Sequence, residues 1–240
     1  MRRWIAAFAA VAHRDLRVAY GSAGAWVFLV AQLVFMGLFV VSSLQTTGEA
    51  SLRPVLPNVA ITLVFCMPLL TMASLAGEDR RGSLELLLTA PVPLSALVLG
   101  KWVAVVVQCG VWLVLTLPVV AVLHRFGDPD VGMLLGAYLG LGACCAAFGS
   151  VGLFTSSLTR DPMVAGVGAV LVLLPSWLAS ALATEAPGEV SRYLEAASFV
   201  HHLQAAARGT VHGGDVAWFA GVVTLFLFLT WRSLESRRWR

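Results

Sequence analysis

The chain has 240 residues, of which 59% are hydrophobic and only 12% charged, and its net charge at pH 7 is +3. Soluble domains carry roughly 25% charged residues, so this composition excludes an ordinary water-soluble domain. The small positive charge requires no nucleic-acid partner, because anionic lipid headgroups are enough to attract it.

The first twenty residues have the pattern of a helix lying flat at a membrane surface. At about 100° per residue, Trp4, Ile5, Phe8, Val11, Ala12 and Val18 share one face, and Arg2, Arg3, His13, Arg14 and Arg17 share the other. Asp15 falls on the apolar side and is the one exception. The apolar run after Arg3 ends at His13 with no small-residue cleavage site in the expected place, which argues against a signal peptide. A plain basic tail is the alternative to an interfacial amphipathic helix.

Six stretches free of Asp, Glu, Lys and Arg then follow: Val18 to Gly48, Pro54 to Gly77, Trp102 to Leu123, Val131 to Thr159, Pro162 to Thr184 and Val216 to Trp231. A span needs about 20 mostly apolar residues, so these predict six transmembrane helices. The last stretch is short at sixteen residues. Leu86 to Gly100 is also uncharged, but Pro91 and Pro93 interrupt it. It reads as a re-entrant or interfacial element outside the span count.

With both ends on one side, twelve of the sixteen basic residues fall on that side: Arg2, Arg3, Arg14, Arg17, Arg80, Arg81, Lys101, Arg160, Arg232, Arg237, Arg238 and Arg240. Arg53, Arg125, Arg192 and Arg208 fall opposite. The positive-inside rule then predicts cytoplasmic termini and an external segment over residues 185–214. Leu194, Phe199, Val200 and Leu203 make that segment amphipathic, predicting short helices on or in the outer leaflet.

Between the second and third spans, residues 77–101 break the apolar pattern with "GEDRRGSLELLLTAPVPLSALVLGK". Glu78, Asp79, Arg80 and Arg81 form a dense mixed-charge cluster, and Gly82 supplies a turn. Ser83 is placed to cap a short helix carrying Glu85 in its first turn. Leu84, Leu86, Leu87 and Leu88 give that helix an apolar flank, and Lys101 with Trp102 marks re-entry at headgroup level. The residues alone leave two readings open: a charged knuckle that transmits force from a soluble partner, or an ordinary solvated loop.

The spans hold Gln32, Gln108 and a few Ser and Thr residues, with no ionisable group near a midplane to drive an ion-coupled transporter. Ser150, Ser176 and Ser180 have no intramembrane His to activate them. The one Gly-Lys pair, Gly100–Lys101, lacks the glycine and hydroxyl positions of a P-loop, which hold Ser95 and Trp102 here. No catalytic residue, cofactor site or metal site is therefore expected in this chain. Adjacent His201 and His202 point to different faces of a helix, with only His212 nearby to complete a metal site. Cys66, Cys109, Cys144 and Cys145 all fall in spans and read as small packing residues. Gly132, Gly136 and Gly140 predict close packing within the subunit, and Pro118 and Pro175 are expected to interrupt spans three and five.

The segment after span two resembles the signature of ABC-2-type transporter permeases: an acidic–basic cluster, Gly-Ser/Thr-Leu-Glu, a Leu run, Thr/Ser-x-Pro and a closing Gly-Lys. Glu78, Arg81, Gly82, Ser83, Leu84, Glu85, Leu86, Leu87, Thr89, Pro91, Gly100 and Lys101 carry the match. The stretch "SFVHHLQAAARGTVHGGDVAWF" is similar to the one before the last span in short permeases of this family, including the gliding-motility type. Phe199, His202, Arg208, Gly209 and Asp215 match, while Leu203 stands where an aromatic is usual.

The resemblance covers essentially the whole chain, 1–240, as a single permease domain. It implies an all-α integral membrane protein with the ABC-2, type V exporter-like fold: an amphipathic connecting helix over 1–20 and six spans. It implies that 77–101 is a coupling segment docking on a separate ATPase through Glu78, Asp79, Arg80, Arg81, Gly82, Ser83 and Glu85. Arg160 and Asp161, between spans four and five, would form the second contact. Two ATPase copies would hold the ATP and magnesium, and a second permease, identical or related, would complete the pore. It implies a multi-pass protein of the bacterial plasma (inner) membrane that acts as the permease of an ATP-driven exporter; a permease complex with a non-export role in lipid extraction, motility or protein maturation, and a secondary transporter or membrane enzyme, are the alternatives.

Overall fold

The computed structural model describes residues 2–47, 54–89, 92–126, 131–207 and 213–238. Pro91, Arg208 and Gly209, singled out above, lie outside the described residues. Every regular element among those described is a helix: α1 (Arg2–Tyr20), α2 (Ala23–Thr47), α3 (Leu56–Arg80), α4 (Ser83–Thr89), α5 (Leu94–Leu115), α6 (Leu117–Phe126), α7 (Val131–Leu158), α8 (Pro162–Glu185), α9 (Gly188–Ala197), α10 (Phe199–Ala207) and α11 (Gly213–Arg238). Six spans are long and apolar enough to cross a membrane: α2, α3, α5 with α6, α7, α8 and α11.

The third span begins earlier than the charge pattern suggests. Residues 94–100 are the first two turns of α5, so Leu86 to Gly100 is not a re-entrant element. Pro93 is the N-cap of α5, with φ −61° and ψ 130°. At a helix start its missing amide leaves no bond unmade, so this proline begins a helix where the sequence reading had it end one. The third span is interrupted at Thr116, two residues before Pro118, whose ring cannot continue the amide ladder. Pro175, expected to interrupt span five, sits inside the unbroken helix α8.

The sixth span is also longer than its uncharged stretch. α11 runs 26 residues, with Asp215 in its first turn and Arg237 and Arg238 in its last. Charges of that sign at those ends suit the helix dipole, so they extend the helix instead of ending it.

α3 and α7 form the centre of the bundle, with 56% and 50% of their apolar windows buried against 11% for α11. Small residues on α7 allow this. A β-carbon on Gly152 would lie 2.0 Å from Thr71 Oγ1 and 2.8 Å from Thr71 Cβ on α3. One turn on, Ser156 Oγ accepts from the amides of Leu75 and Ala76, at 3.1 and 3.0 Å, and donates to the carbonyl of Met72 at 2.9 Å. A side chain of one span is thus inserted into the backbone ladder of another. Gly140 makes the packing contact expected within the subunit: a β-carbon there would meet Leu203 Cδ1 at 2.8 Å on α10.

The segment before α11 forms two short helices of unlike character. α9 has no buried residue, whereas Phe199, Val200, Leu203 and Ala206 of α10 are buried in the bundle. The apolar face predicted to meet lipid thus meets protein. The Phe199 ring packs edge-on against Phe148 and Trp218, at 4.8 and 4.9 Å between centroids.

Gly152→Ala is expected to push α3 and α7 apart and destabilise the fold by about 1–3 kcal/mol, the usual range for overpacking. Thermal unfolding in detergent reads this out. Gly142→Ala is the control, since its β-carbon would sit 3.8 Å from Leu113 in ordinary contact and should leave the midpoint unchanged.

Candidate functional site

The charged segment after span two is assembled around two consecutive carboxylates in the last turn of α3. Successive helical residues point about 100° apart, so Glu78 and Asp79 face different neighbours.

Glu78 is only 9% exposed and turns toward α1 and α5. Arg14 donates a hydrogen bond to its Oε1, and Lys101 Nζ lies 2.9 Å from its Oε2. Lys101 also donates to Asp15 Oδ2 at 2.8 Å and to the Ser74 carbonyl at 2.9 Å. Arg14 closes the figure by donating to Asp15 Oδ1 at 2.9 Å. Two cations and two anions therefore alternate in a neutral ring joining α1, α3 and α5. The Lys101 ammonium is held by two hydrogen bonds, to Asp15 and to the Ser74 carbonyl, and by its ion pair with Glu78. Partial burial works against the charge on Arg14, but Glu78 and Asp15 outweigh it and hold its pKa above the ordinary value.

This ring revises two readings of the sequence. Lys101 does not face water or lipid headgroups: it is 2% exposed, inside the protein. Asp15, the apparent flaw in the amphipathic pattern, is the counter-ion that makes that burial possible. The bundle interior is accordingly not free of charge at this end. Gly100 is part of the same device. A β-carbon there would lie 2.9 Å from Val11 Cγ1 and 3.1 Å from the Phe8 carbonyl, so only glycine lets α1 rest this closely on α5. Trp4 Nε1 donates to Ser95 Oγ at 3.1 Å along the same seam.

Asp79 faces the other way. Its carboxylate accepts from Arg237 near the end of α11 and pairs with Arg160 Nε at 3.4 Å in the link between α7 and α8. Ser233 Oγ donates to the Ser157 carbonyl beside them at 3.3 Å. Together, the two carboxylates tie the ends of α1, α3, α5, the α7–α8 link and α11.

Beyond them the chain turns outward. Arg81 Nε donates back to the Gly77 carbonyl at 2.9 Å, and Gly82 takes φ +71°, a conformation that side chains disfavour. Ser83 Oγ donates to the Glu78 carbonyl at 3.2 Å, so its hydroxyl fastens α4 to α3. Arg80, Arg81, Gly82 and Glu85 are exposed, as are Arg160 and Asp161. Asp161 also has a local task as the N-cap of α8, accepting from the Met163 amide at 2.9 Å. The nine residues predicted to face a partner thus divide: Glu78 and Asp79 are turned inward, Ser83 is half-buried, and the other six are exposed. Arg14, Asp15 and Arg237 belong to the arrangement and were not singled out from the sequence. Only the misplaced charge of Asp15 signalled it.

At the opposite end of the bundle, two further motif residues meet. His202 Nδ1 and Asp215 Oδ1 are 2.6 Å apart, and the imidazole stacks on Trp218 at 4.4 Å. Among the described residues, no group of three or more His, Cys, Asp or Glu is placed to hold a metal ion.

Six membrane-competent helices preceded by an amphipathic helix, with paired charges drawn together at one end, are the architecture of a multi-pass membrane protein. The family model described as ABC-2 type transporter matches residues 6–211, and the chain belongs to that family. It is a membrane transport subunit of a kind that is generally non-catalytic and generally works with ABC ATPases. No curated protein matches the chain.

Lys101→Met leaves Asp15 and Glu78 with Arg14 alone and is expected to destabilise the fold by about 3–5 kcal/mol, the range for stranding a buried charge. Adding Glu78→Gln removes the stranded anion, and the double variant should recover at least half of the loss in thermal unfolding midpoint.

Proposed function

We propose that this chain is the permease half of an ATP-driven exporter, coupled to a separate ATPase through the turn around Gly82. The observation that carries the reading is the division within one short segment. Arg80, Arg81 and Glu85 are exposed on either side of a positive-φ glycine, while Glu78 and Asp79 immediately before them are tied to most of the bundle. A load applied to the exposed part has a direct route inward. Arg160 and Asp161, brought to the same end by Asp79, form the second contact.

Two ATPase copies carry ATP and magnesium and dock against two permease subunits, the second identical or related. Closure of the ATPase pair presses on α4. Glu78 passes that load to α1 and α5, and Asp79 passes it to α7, α8 and α11. Both termini and the charged end face the cytoplasm of a bacterial inner membrane, as the twelve-to-four distribution of basic residues favours. The exposed flank of α1, including Ile5 and Val18, rests in the lipid interface.

Glu85→Arg is expected to leave the permease folded and to weaken its complex with the ATPase at least tenfold, since reversing a charge at a docking surface adds repulsion to the lost attraction. Co-purification and substrate-stimulated ATP hydrolysis in liposomes measure this; wild-type values in both would refute the coupling assignment. Orientation is tested by cysteine accessibility in intact cells. Ser83→Cys should be protected from an impermeant external reagent and Glu189→Cys labelled, against a low background because the four native cysteines are buried.

A further inference from the structure

A cavity of about 340 Å³ opens beside the charged ring, between α1, α2, α3 and α5. Its deep wall includes Ala104, Val105 and Leu70, and its open side runs past Val18 and Leu69, which are 56% and 43% exposed. One group in it lacks a hydrogen-bond partner, and a second brings a charge that the ring does not cancel. Gln108 is 1% exposed, and its side-chain Nε2 has no hydrogen-bond partner. An amide nitrogen buried in this way costs about 1–3 kcal/mol unless an acceptor reaches it. Arg81, at the mouth, donates through Nε to the Gly77 carbonyl, and it adds a positive charge beside a ring whose four charges already cancel.

The two groups line one cavity, with Gln108 about two turns of α5 beyond the charged ring. Lys101 and Gln108 are seven residues apart on α5, about 10 Å along the axis. Helical side chains lean toward the N-terminus, which brings the Gln108 amide back toward the ring and the cavity mouth. A phosphate at Arg81 with an ester carbonyl one short chain further in would meet both donors, and the apolar opening lets acyl chains leave toward the bilayer.

We propose that this cavity binds one anionic phospholipid, its phosphate on Arg81, an ester carbonyl on Gln108 Nε2, and its chains passing between Val18 and Leu69. The volume fits the phosphate, the glycerol and the first methylenes, and the rest of the lipid remains in the bilayer. Free phosphate satisfies Arg81 but leaves the amide and the apolar walls unfilled. The cavity lies within one chain, so its occupancy requires no ATPase and does not depend on export.

The test is titration of the full-length purified chain with dioctanoyl phosphatidylglycerol, read by native mass spectrometry. A saturable one-to-one adduct is expected. Phosphatidylcholine of the same chain length should bind several-fold more weakly, and inorganic phosphate should not compete. Gln108→Leu, which removes the orphaned amide and preserves bulk, should weaken binding about tenfold, as should Arg81→Gln. Ala104→Leu fills the cavity without touching either donor and should abolish the adduct. Unsaturable uptake would overturn the proposal. So would wild-type affinity in both Gln108→Leu and Ala104→Leu, or displacement of the lipid by inorganic phosphate.

Discussion

The burial of Lys101 constrains the rest of this end of the molecule. An ammonium removed from water is strongly unfavourable unless anions and hydrogen-bond acceptors replace its hydration. Here the replacements come from two other elements: Asp15 on α1, and Glu78 and the Ser74 carbonyl on α3, converging on a lysine of α5. None can be withdrawn without exposing the others to the same penalty. The amphipathic helix is therefore held by the bundle, and Gly100 is the geometric condition for it, because a side chain there would lift α1 out of reach.

The neighbouring carboxylate extends the constraint to the other half of the bundle. Asp79 holds the link between α7 and α8 and the end of α11, and its own side chain is only 7% exposed. Two consecutive residues of one helix thus do what separate contacts do in most bundles. The opposite end is held by different physics. There Phe199, Phe148, Trp218 and the stacked His202 form an aromatic cluster with a single His–Asp pair beside it. Salt screens the exposed members of the charged end, such as Arg160 at 76% exposure, more than the buried ring, and it leaves aromatic packing largely untouched.

Much of this was legible in the sequence, and the misses have physical causes. Uncharged stretches located six spans because a helix in lipid tolerates few charges. The same criterion misplaced the start of the third span and shortened the sixth, because a charge is tolerated in a span when the protein supplies its partner or when it lies at a helix end. Lys101 looked like an interfacial anchor because its partners, Asp15 and Glu78, are 86 and 23 positions away in the chain. Helical periodicity did flag Asp15, but as a defect; pairing across elements is invisible to a one-helix projection. Pro93 was misjudged for a related reason, since a proline that breaks a helix interior is well suited to begin one.

The positions of Glu78 and Asp79 also explain why a mixed-charge cluster stands at the end of a span at all. If the four charges from Glu78 to Arg81 served only a soluble partner, all four would be exposed. Instead the first two are held inward by ion pairs and the next two are exposed, and Gly82 turns the chain directly after them. The change of direction occurs where α3 ends, so the helix delivers two side chains to the bundle before the turn frees the rest. The exposed residues gain a rigid base from this arrangement. A load on α4 meets α3 through the Ser83 hydroxyl on the Glu78 carbonyl, and α3 cannot move there without displacing the ring on one side and the Asp79 contacts on the other. In the coupling we propose, rigidity at this point, and not charge alone, would let a short surface helix act on the whole bundle.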